Sequence, residues 1–218
     1  NVGIEMDANS TIALSDSFNG SLYFGALTGQ NLGMIAQDFT ATTNTYGNSV
    51  SPKITVYAGD YLTTISANDL SSQASIYAGG LVGTLGATGK ISKIVNPDLT
   101  LLGYGNYMSY NNITLDIDTK HTNNYLGGLV GYIYGGATLT SNGTSADSSI
   151  IVGGEMNGVA NVGGVVGTIA SGATMYGLTS RTFVRGYSNV GAISASTAAG
   201  VTGGSAQFYV QAVDTGVK

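Results

Sequence analysis

Apolar and small residues recur along this chain in one arrangement. Three stretches align without gaps: GGLVGTLGATGKI at 79–91, GGLVGYIYGGATL at 127–139 and GGVVGTIASGATM at 163–175. Shorter copies flank them, GALTG at 25–29 and GAISA at 191–195. At a period of two, Tyr77, Gly79, Leu81, Gly83 and Leu85 share a face. Tyr125, Gly127, Leu129, Gly131 and Ile133 repeat that face, and Asn161, Gly163, Val165, Gly167 and Ile169 repeat it again. Val82, Val130 and Val166 hold equivalent places on the other face. Such alternation predicts extended chain. Glycine inside a strand marks a place where another backbone or a packed side chain comes close. Its recurrence at matched places predicts stacked layers with little room between them. A helix is excluded, because several glycines per turn and β-branched neighbours both disfavour it.

Gly25, Gly79, Gly127, Gly163 and Gly191 open the five copies, 54, 48, 36 and 28 residues apart. Unequal spacing predicts coils that carry insertions, not a regular short repeat. Short β-branched or aromatic runs continue the strand signal at 53–57, 113–117 and 182–184. Asn19-Gly20, Asn142-Gly143 and Asn157-Gly158 read as turns of the kind that need positive φ. At most one short helical turn is expected, over 67–73. The chain therefore reads as all-β and as a single domain over 1–218, with no linker. Glycine-rich repeats occupy about 76–200 and terminal strands about 1–8 and 205–213. The expected architecture is a β-solenoid-like stack of strands; a β-sandwich or jelly roll is the alternative.

The blocks at 78–91, 126–139 and 162–175 resemble the GLUG motif, whose core is a V/L-G-G-L-V-G stretch followed by a glycine and a short Thr/Ile strand. The segment 162–192 reads as two tandem units, entered at Asn161-Val162 and Asn189-Val190. The resemblance covers about half the chain and leaves the first 75 and the last 20 residues outside it. It implies β-rich modules of secreted and cell-surface proteins, often beside adhesive or peptidase regions, and so an extracellular or cell-surface location. Some relatives accompany zinc peptidases. Here the only histidine lies in His121-Thr-Asn-Asn-Tyr and no HExxH is present, so no peptidase activity carries over.

Composition narrows the function classes. Charged residues make up 9% of the 218, with 7 Lys+Arg against 12 Asp+Glu. Nucleic acid is not an expected partner, because phosphate binding needs a basic stripe. Two prolines, and glycines without a period of three, exclude collagen. No cysteine is present, hence no disulfide framework. The apolar blocks last about eight residues, so no transmembrane segment is expected despite GxxxG spacings at Gly79/Gly83, Gly127/Gly131 and Gly163/Gly167. The opening Asn1-Val2-Gly3-Ile4-Glu5 lacks a basic region and an apolar run, so no signal peptide is visible; if the protein is exported, the expectation is that this is its mature form. Sequons stand at Asn9, Asn19, Asn112 and Asn142.

Candidate chemistry is sparse. His121, with Asp116 and Asp118 upstream, has the residue types of a general base and its orienter. The plainer expectation is an exposed polar residue in the loop 120–124. Asp116-x-Asp118 would put two carboxylates on one strand face, a weak calcium candidate, while simple alternation with Leu115 and Ile117 inward gives the same pattern. No phosphate loop or nucleophile elbow occurs, and no catalytic residue or cofactor is assigned. Tyrosine is the enriched aromatic, 14 against 5 Phe and no Trp. Tyr104, Tyr107 and Tyr110 cluster, and Tyr132 and Tyr134 share a strand face. These rings either contact glycans or pack across strands to cover glycines. At the ends, Val2, Ile4 and Met6, and Phe208, Val210 and Ala212, alternate with other residues as amphipathic strands. Each either closes its own sheet or completes a neighbour's. The expected function is a non-enzymatic structural or adhesive protein, its partners other copies of itself or cell-surface and matrix components. In one form of this reading it is a filament subunit assembled by terminal-strand donation. The alternatives are a carbohydrate-binding adhesin module and a polysaccharide-cleaving β-helix.

Overall fold

The computed structural model describes residues 2–38, 42–43, 46, 49–50, 54–94, 107–118, 120–142, 150–197 and 209–210. These residues are all-β and wind into successive coils. The first coil contains β1 (Val2–Glu5), β2 (Ser10–Ala13), β3 (Ser21–Gly25), β4 (Thr28–Asn31) and β5 (Met34–Asp38). A small antiparallel pair follows, β6 (Thr42–Thr43) with β7 (Ser49–Val50). The second coil is β8 (Ile54–Ser66), β9 (Ser75–Gly79), β10 (Val82–Leu85) and β11 (Lys90–Ile94). The third is β12 (Tyr107–Asp116), β13 (Asn124–Gly127), β14 (Val130–Ile133) and β15 (Thr138–Ser141). The fourth is β16 (Ile150–Asn157), β17 (Ala160–Gly163), β18 (Val166–Ile169) and β19 (Thr174–Tyr176). The fifth is β20 (Leu178–Arg185), β21 (Ser188–Gly191) and β22 (Ser194–Thr197), with β23 (Tyr209–Val210) beside β20.

Each of the first four coils gives one strand to each of four parallel sheets, apart from the doubled start; among the described residues the fifth gives strands to sheets 1, 2 and 3 only, and β23 adds to sheet 1. Sheet 1 runs β1-β8-β12-β16-β20-β23, with β2 also on β8. Sheet 2 runs β3-β9-β13-β17-β21, sheet 3 β4-β10-β14-β18-β22 and sheet 4 β5-β11-β15-β19. The solenoid-like reading holds, and the sandwich alternative fails because these four sheets are parallel throughout. Gly25, Gly79, Gly127, Gly163 and Gly191 line up as one row. The repeated blocks are thus the rungs of the stack.

The expectation of one strand per block is corrected. Each block is not a single alternating strand but two strands joined by a corner at 80–81, 128–129 or 164–165. Leu81 and Val82 are both fully buried in the same core, although strict alternation puts them on opposite faces. The glycines explain the fold-back. A Cβ on Gly79, Gly127 or Gly163 would overlap the carbonyl oxygen of Val82, Val130 or Val166, just after the corner. A Cβ on Gly131 would come within 2.7 Å of the Ala78 nitrogen in the preceding coil. Sheets 2 and 3 therefore touch backbone to backbone, which side chains would prevent.

The second glycine of each pair lies against sheet 1. Its carbonyl is inside the molecule and needs a donor. Asn111 Nδ2 donates to Gly80 O (3.2 Å), Ser109 Oγ to Gly128 O (2.6 Å) and Thr182 Oγ1 to Gly164 O (2.9 Å). Ser109, Asn111 and Thr182 are all buried. This polar line separates two apolar cores. One holds Leu81, Leu85, Leu129, Ile133, Val152 and Ile169 among others. The other holds Ile65, Ile76, Ile113, Leu126, Met156 and Val184.

The unequal repeat spacing comes from particular corners. Between sheets 2 and 3 the corner is always two residues, from 26–27 to 192–193. Between sheets 1 and 2 it is 14–20, 67–74 and 117–123, then only 158–159 and 186–187. Between sheets 4 and 1 the described strands are separated by 39–53, 95–106 and 142–149, most of which lie outside the described residues, and in the fourth coil by Gly177 alone. The helical turn expected at 67–73 is absent; a β-turn closes there, with Ala74 N donating to Ser71 O at 2.9 Å. Positive φ is not found at the Asn-Gly pairs among the described residues, because those corners link different sheets instead of closing hairpins. It falls on Asn161 (φ 52°), Asn189 (φ 50°) and five glycines. Asparagine tolerates that conformation, and both residues sit where the sheet 1 to sheet 2 corner has shortened to two residues.

Candidate functional site

Tyrosines gather in two places. In the angle between sheets 2 and 3, Tyr23, Tyr77 and Tyr125 hold one position in successive strands. Their rings stack at 5.1 Å with interplanar angles of 7° and 9°. Tyr132 of sheet 3 meets Tyr77 and Tyr125 edge-on at 5.9 and 5.2 Å, and Tyr134 lies 4.8 Å from Tyr132. Burial raises the phenol pKa of Tyr125, helped by Tyr77 and Tyr132. Tyr134 is raised by burial, by Tyr77, Tyr23 and Tyr132, and by a hydrogen bond with Tyr77. Parallel stacking turns the ring faces toward each other, so this ladder offers edges outward. The pattern is that of cross-strand packing. Beyond Tyr125 the position passes to Asn161 and Asn189. Asn189 Nδ2 donates to Asn161 Oδ1 (3.0 Å) and Asn161 Nδ2 to Asn124 O (3.0 Å).

The second gathering is on the outer face of sheet 1. Tyr57 and Tyr110 are register partners, with rings 5.3 Å apart and tilted by 39°. Tyr107 meets Tyr110 edge-on at 5.3 Å, and the Arg181 guanidinium lies over the Tyr107 ring at 5.9 Å. Gly153 is the floor: a Cβ there would reach within 2.7 Å of the Tyr107 ring and 2.8 Å of the Tyr110 ring. Burial, then Tyr107, Tyr57 and Asp60, raise the Tyr110 phenol pKa. Tyr57 is 47% exposed. This row differs from the ladder in its tilted register partners and its cation; Tyr57 is its exposed member, as Tyr23 is the ladder's. The row brings Tyr107 and Tyr110 together as their spacing suggested; Tyr104 lies outside the described residues. Tyr57 comes from the preceding coil, and the signal that could have found it is its place in the same strand of the coil.

The remaining candidates separate. His121 is buried, not exposed as expected. Its Nε2 lies 3.1 Å from Ala74 O, and its backbone N donates to Asp118 O at 3.0 Å. The cause is the seven-residue corner, which tucks the ring inward while Asn124 bonds the His121 carbonyl and accepts from Ala160 N at 2.8 Å. The strand ends at Asp116, and Asp118 Oδ1 accepts from Lys120 N at 2.8 Å. Leu115 and Ile117 point inward, as simple alternation requires. No group of three or more His, Cys, Asp or Glu comes together among the described residues. A recess of about 230 Å³ opens at the shortened corners, lined by Asn157, Gly158, Arg185, Gly186 and Tyr187. Its Arg185 lies 3.7 Å from Glu155 and over the Phe183 ring at 4.7 Å.

At the N-terminal end, β1 closes its own sheet. Val2 pairs with Ile54 and Ile4 with Val56, and Met6 Sδ accepts from Thr63 Oγ1 at 3.7 Å. At the other end Val210 of β23 pairs with Val184 of β20, while Phe208 lies outside the described residues. Among the sequons, Asn112 is engaged in the fold: its Nδ2 donates to Gly59 O (2.8 Å) and Tyr61 O (3.0 Å). No helix among the described residues is long and apolar enough to cross a membrane. Comparison with protein-family models, with curated proteins and with solved structures returned no match, and the GLUG resemblance rests on the motif residues alone.

Proposed function

We propose that this chain is a non-enzymatic structural or adhesive protein of the cell surface or extracellular space, and that it serves as the rod of a self-assembling filament. One observation supports this above the others: an in-register cross-section repeats coil after coil and, among the described residues, ends on unpaired strand edges in sheets 2 and 3. β3 and β4 at one end, and β21 and β22 at the other, are the outermost strands of sheets 2 and 3. An unpaired strand edge is a template for another strand. The terminal-strand form of the idea takes a specific shape here, in which the outer edge of β1 is what a neighbour meets. The test is negative-stain microscopy of the concentrated chain. Filaments are expected with a subunit rise of about 25–30 Å, from five or six rungs at roughly 4.8 Å each. Deleting residues 1–8 is expected to stop their growth. Discrete particles at every concentration would refute the filament.

A second reading, a carbohydrate-binding adhesin module, is favoured by the tilted row Tyr57, Tyr110 and Tyr107 with Arg181 alongside. Glycan-array binding lost in Tyr57→Ala and Tyr107→Ala but kept in Tyr23→Ala would support it.

A further inference from the structure

We propose that copies of this chain join head to tail, the acidic first coil of one docking on the arginine-bearing last coil of the next. The inference rests on the filament reading and adds its polarity and its partner surface. Charge is distributed unevenly along the stack. The first coil, 2–38, holds Glu5, Asp7, Asp16 and Asp38 and no Lys or Arg. The last, 178–197, holds Arg181 and Arg185 and no Asp or Glu. Glu5, Asp7 and Arg181 are exposed, and Arg185 is half-exposed.

The two ends also share a register. Glu5 pairs with Tyr57, Tyr57 with Tyr110, Tyr110 with Gly153 and Gly153 with Arg181. Among the described residues, one row on the outer face of sheet 1 therefore starts on a carboxylate and reaches a guanidinium in β20, where β23 lies alongside at residues 183–184. A second copy continuing the stack brings its Glu5 toward the Arg181 end of that row, so opposite charges meet and like charges stay apart. The first coil adds apolar surface to the acids. Leu32 is 59% exposed, Met34 63%, Val2 45% and Tyr23 39%. Partly buried residues of the two cores approach both ends, Leu22, Phe24 and Leu27 at one and Val190 and Ile193 at the other. An apolar centre with a charged rim is the usual anatomy of a protein interface. Because the two surfaces differ, the contact is heterologous, and copies stacked along one axis do not return to the first, so the contact yields a fibre instead of a ring.

The test uses the full chain and two charge-reversed forms, one carrying Glu5→Arg and Asp7→Arg, the other Arg181→Glu and Arg185→Glu. Sedimentation at about 20 mM salt is expected to show wild-type polymer that weakens about tenfold or more by about 500 mM. Each reversed form alone is expected to stay monomeric while keeping its β circular dichroism. Mixing them one to one is expected to restore polymer, since every basic end then finds an acidic one. Reversed forms that polymerise like wild type, or a mixture that remains monomeric, would overturn the charge-directed contact while leaving the filament itself standing. Wild type that stays monomeric under all conditions would overturn both.

Discussion

The corner between sheets 2 and 3 and the corner between sheets 1 and 2 turn the same chain in the same coils, yet only the second varies. The first is two residues long in every coil; the second falls from seven or eight residues to two. At the first, carbonyl oxygens of neighbouring strands lie where a side chain would start, so nothing can be added. At the second, the flanking strands face each other across an apolar core, and added residues find room on either side of the chain: Ala74 and His121 are buried, while Asn68, Gln73 and Thr122 are exposed. What fixes a solenoid cross-section is the place where backbones touch, and tolerance grows with distance from it.

The largest effect should follow from filling the tight corner. Gly128→Val puts branched carbons against Gly164 O and Val152 Cγ1 from the next coil. The expected loss is about 4 kcal/mol or more, enough that thermal melting finds little folded protein. Ala192 holds the equivalent place in the last coil, where among the described residues no further rung of sheets 2 and 3 lies beyond it. Ala192→Gly should therefore change the melting midpoint only slightly. Equal damage from the two substitutions would show that contact with the next coil is not what demands glycine.

A smaller effect is expected on the sheet 1 side of the same corner. Asn111→Ala removes the donor to Gly80 O and the partner of Ser109 Oγ (2.7 Å). An unsatisfied buried carbonyl costs about 1–3 kcal/mol, so urea denaturation should show a loss of roughly 2 kcal/mol. Asn111→Asp restores no donor and should be no better.

These contrasts also explain what could be read from the chain. The rows of Gly79, Gly127 and Gly163 were legible because backbone contact leaves one residue type able to satisfy it. The corner at 80–81 was not, because alternation counted along a glycine-rich block looks the same whether or not the chain bends. Tyr107 and Tyr110 were legible as neighbours three residues apart. The Tyr23-Tyr77-Tyr125 ladder was only half visible, since its members lie 54 and 48 residues apart and meet only once the coils are in register. His121 looked exposed because a polar loop sequence does not show which residue the loop turns inward. The donors Ser109, Asn111 and Thr182 carried no signal, as nothing local marks the distant carbonyl that each must satisfy.

Alkaline pH probes the ladder on the open side of the tight corner. Tyr125 and Tyr134 have phenol pKa values raised above the ordinary value near 10. As pH climbs past that value, the unfolded chain loses these protons before the folded one does. Folding stability must then fall with rising pH. Melting curves from pH 9 to about 11 should show a decline that Tyr125→Phe with Tyr134→Phe reduces. An unchanged slope in the double variant would place the titrating groups elsewhere.

The mildest perturbation is an insertion, and it discriminates best because the same segment can be placed at both corners. Five Gly/Ser residues between Gly186 and Tyr187 lengthen a two-residue link to the seven found in the first and third coils. Tyr187 is exposed, and its backbone N needs only to keep its 3.1 Å bond to Val159 O. Loop-closure entropy for this change is about 1 kcal/mol, read as a small drop in the denaturation midpoint with an unchanged slope. The same five residues between Gly80 and Leu81 must part Gly80 N from Gly127 O (3.1 Å) and Leu81 N from Leu129 O (3.0 Å), and must unseat Leu81 from the core. That chain is expected not to fold. Were both insertions tolerated alike, the short corner would be a habit of the repeat and not a consequence of backbone contact.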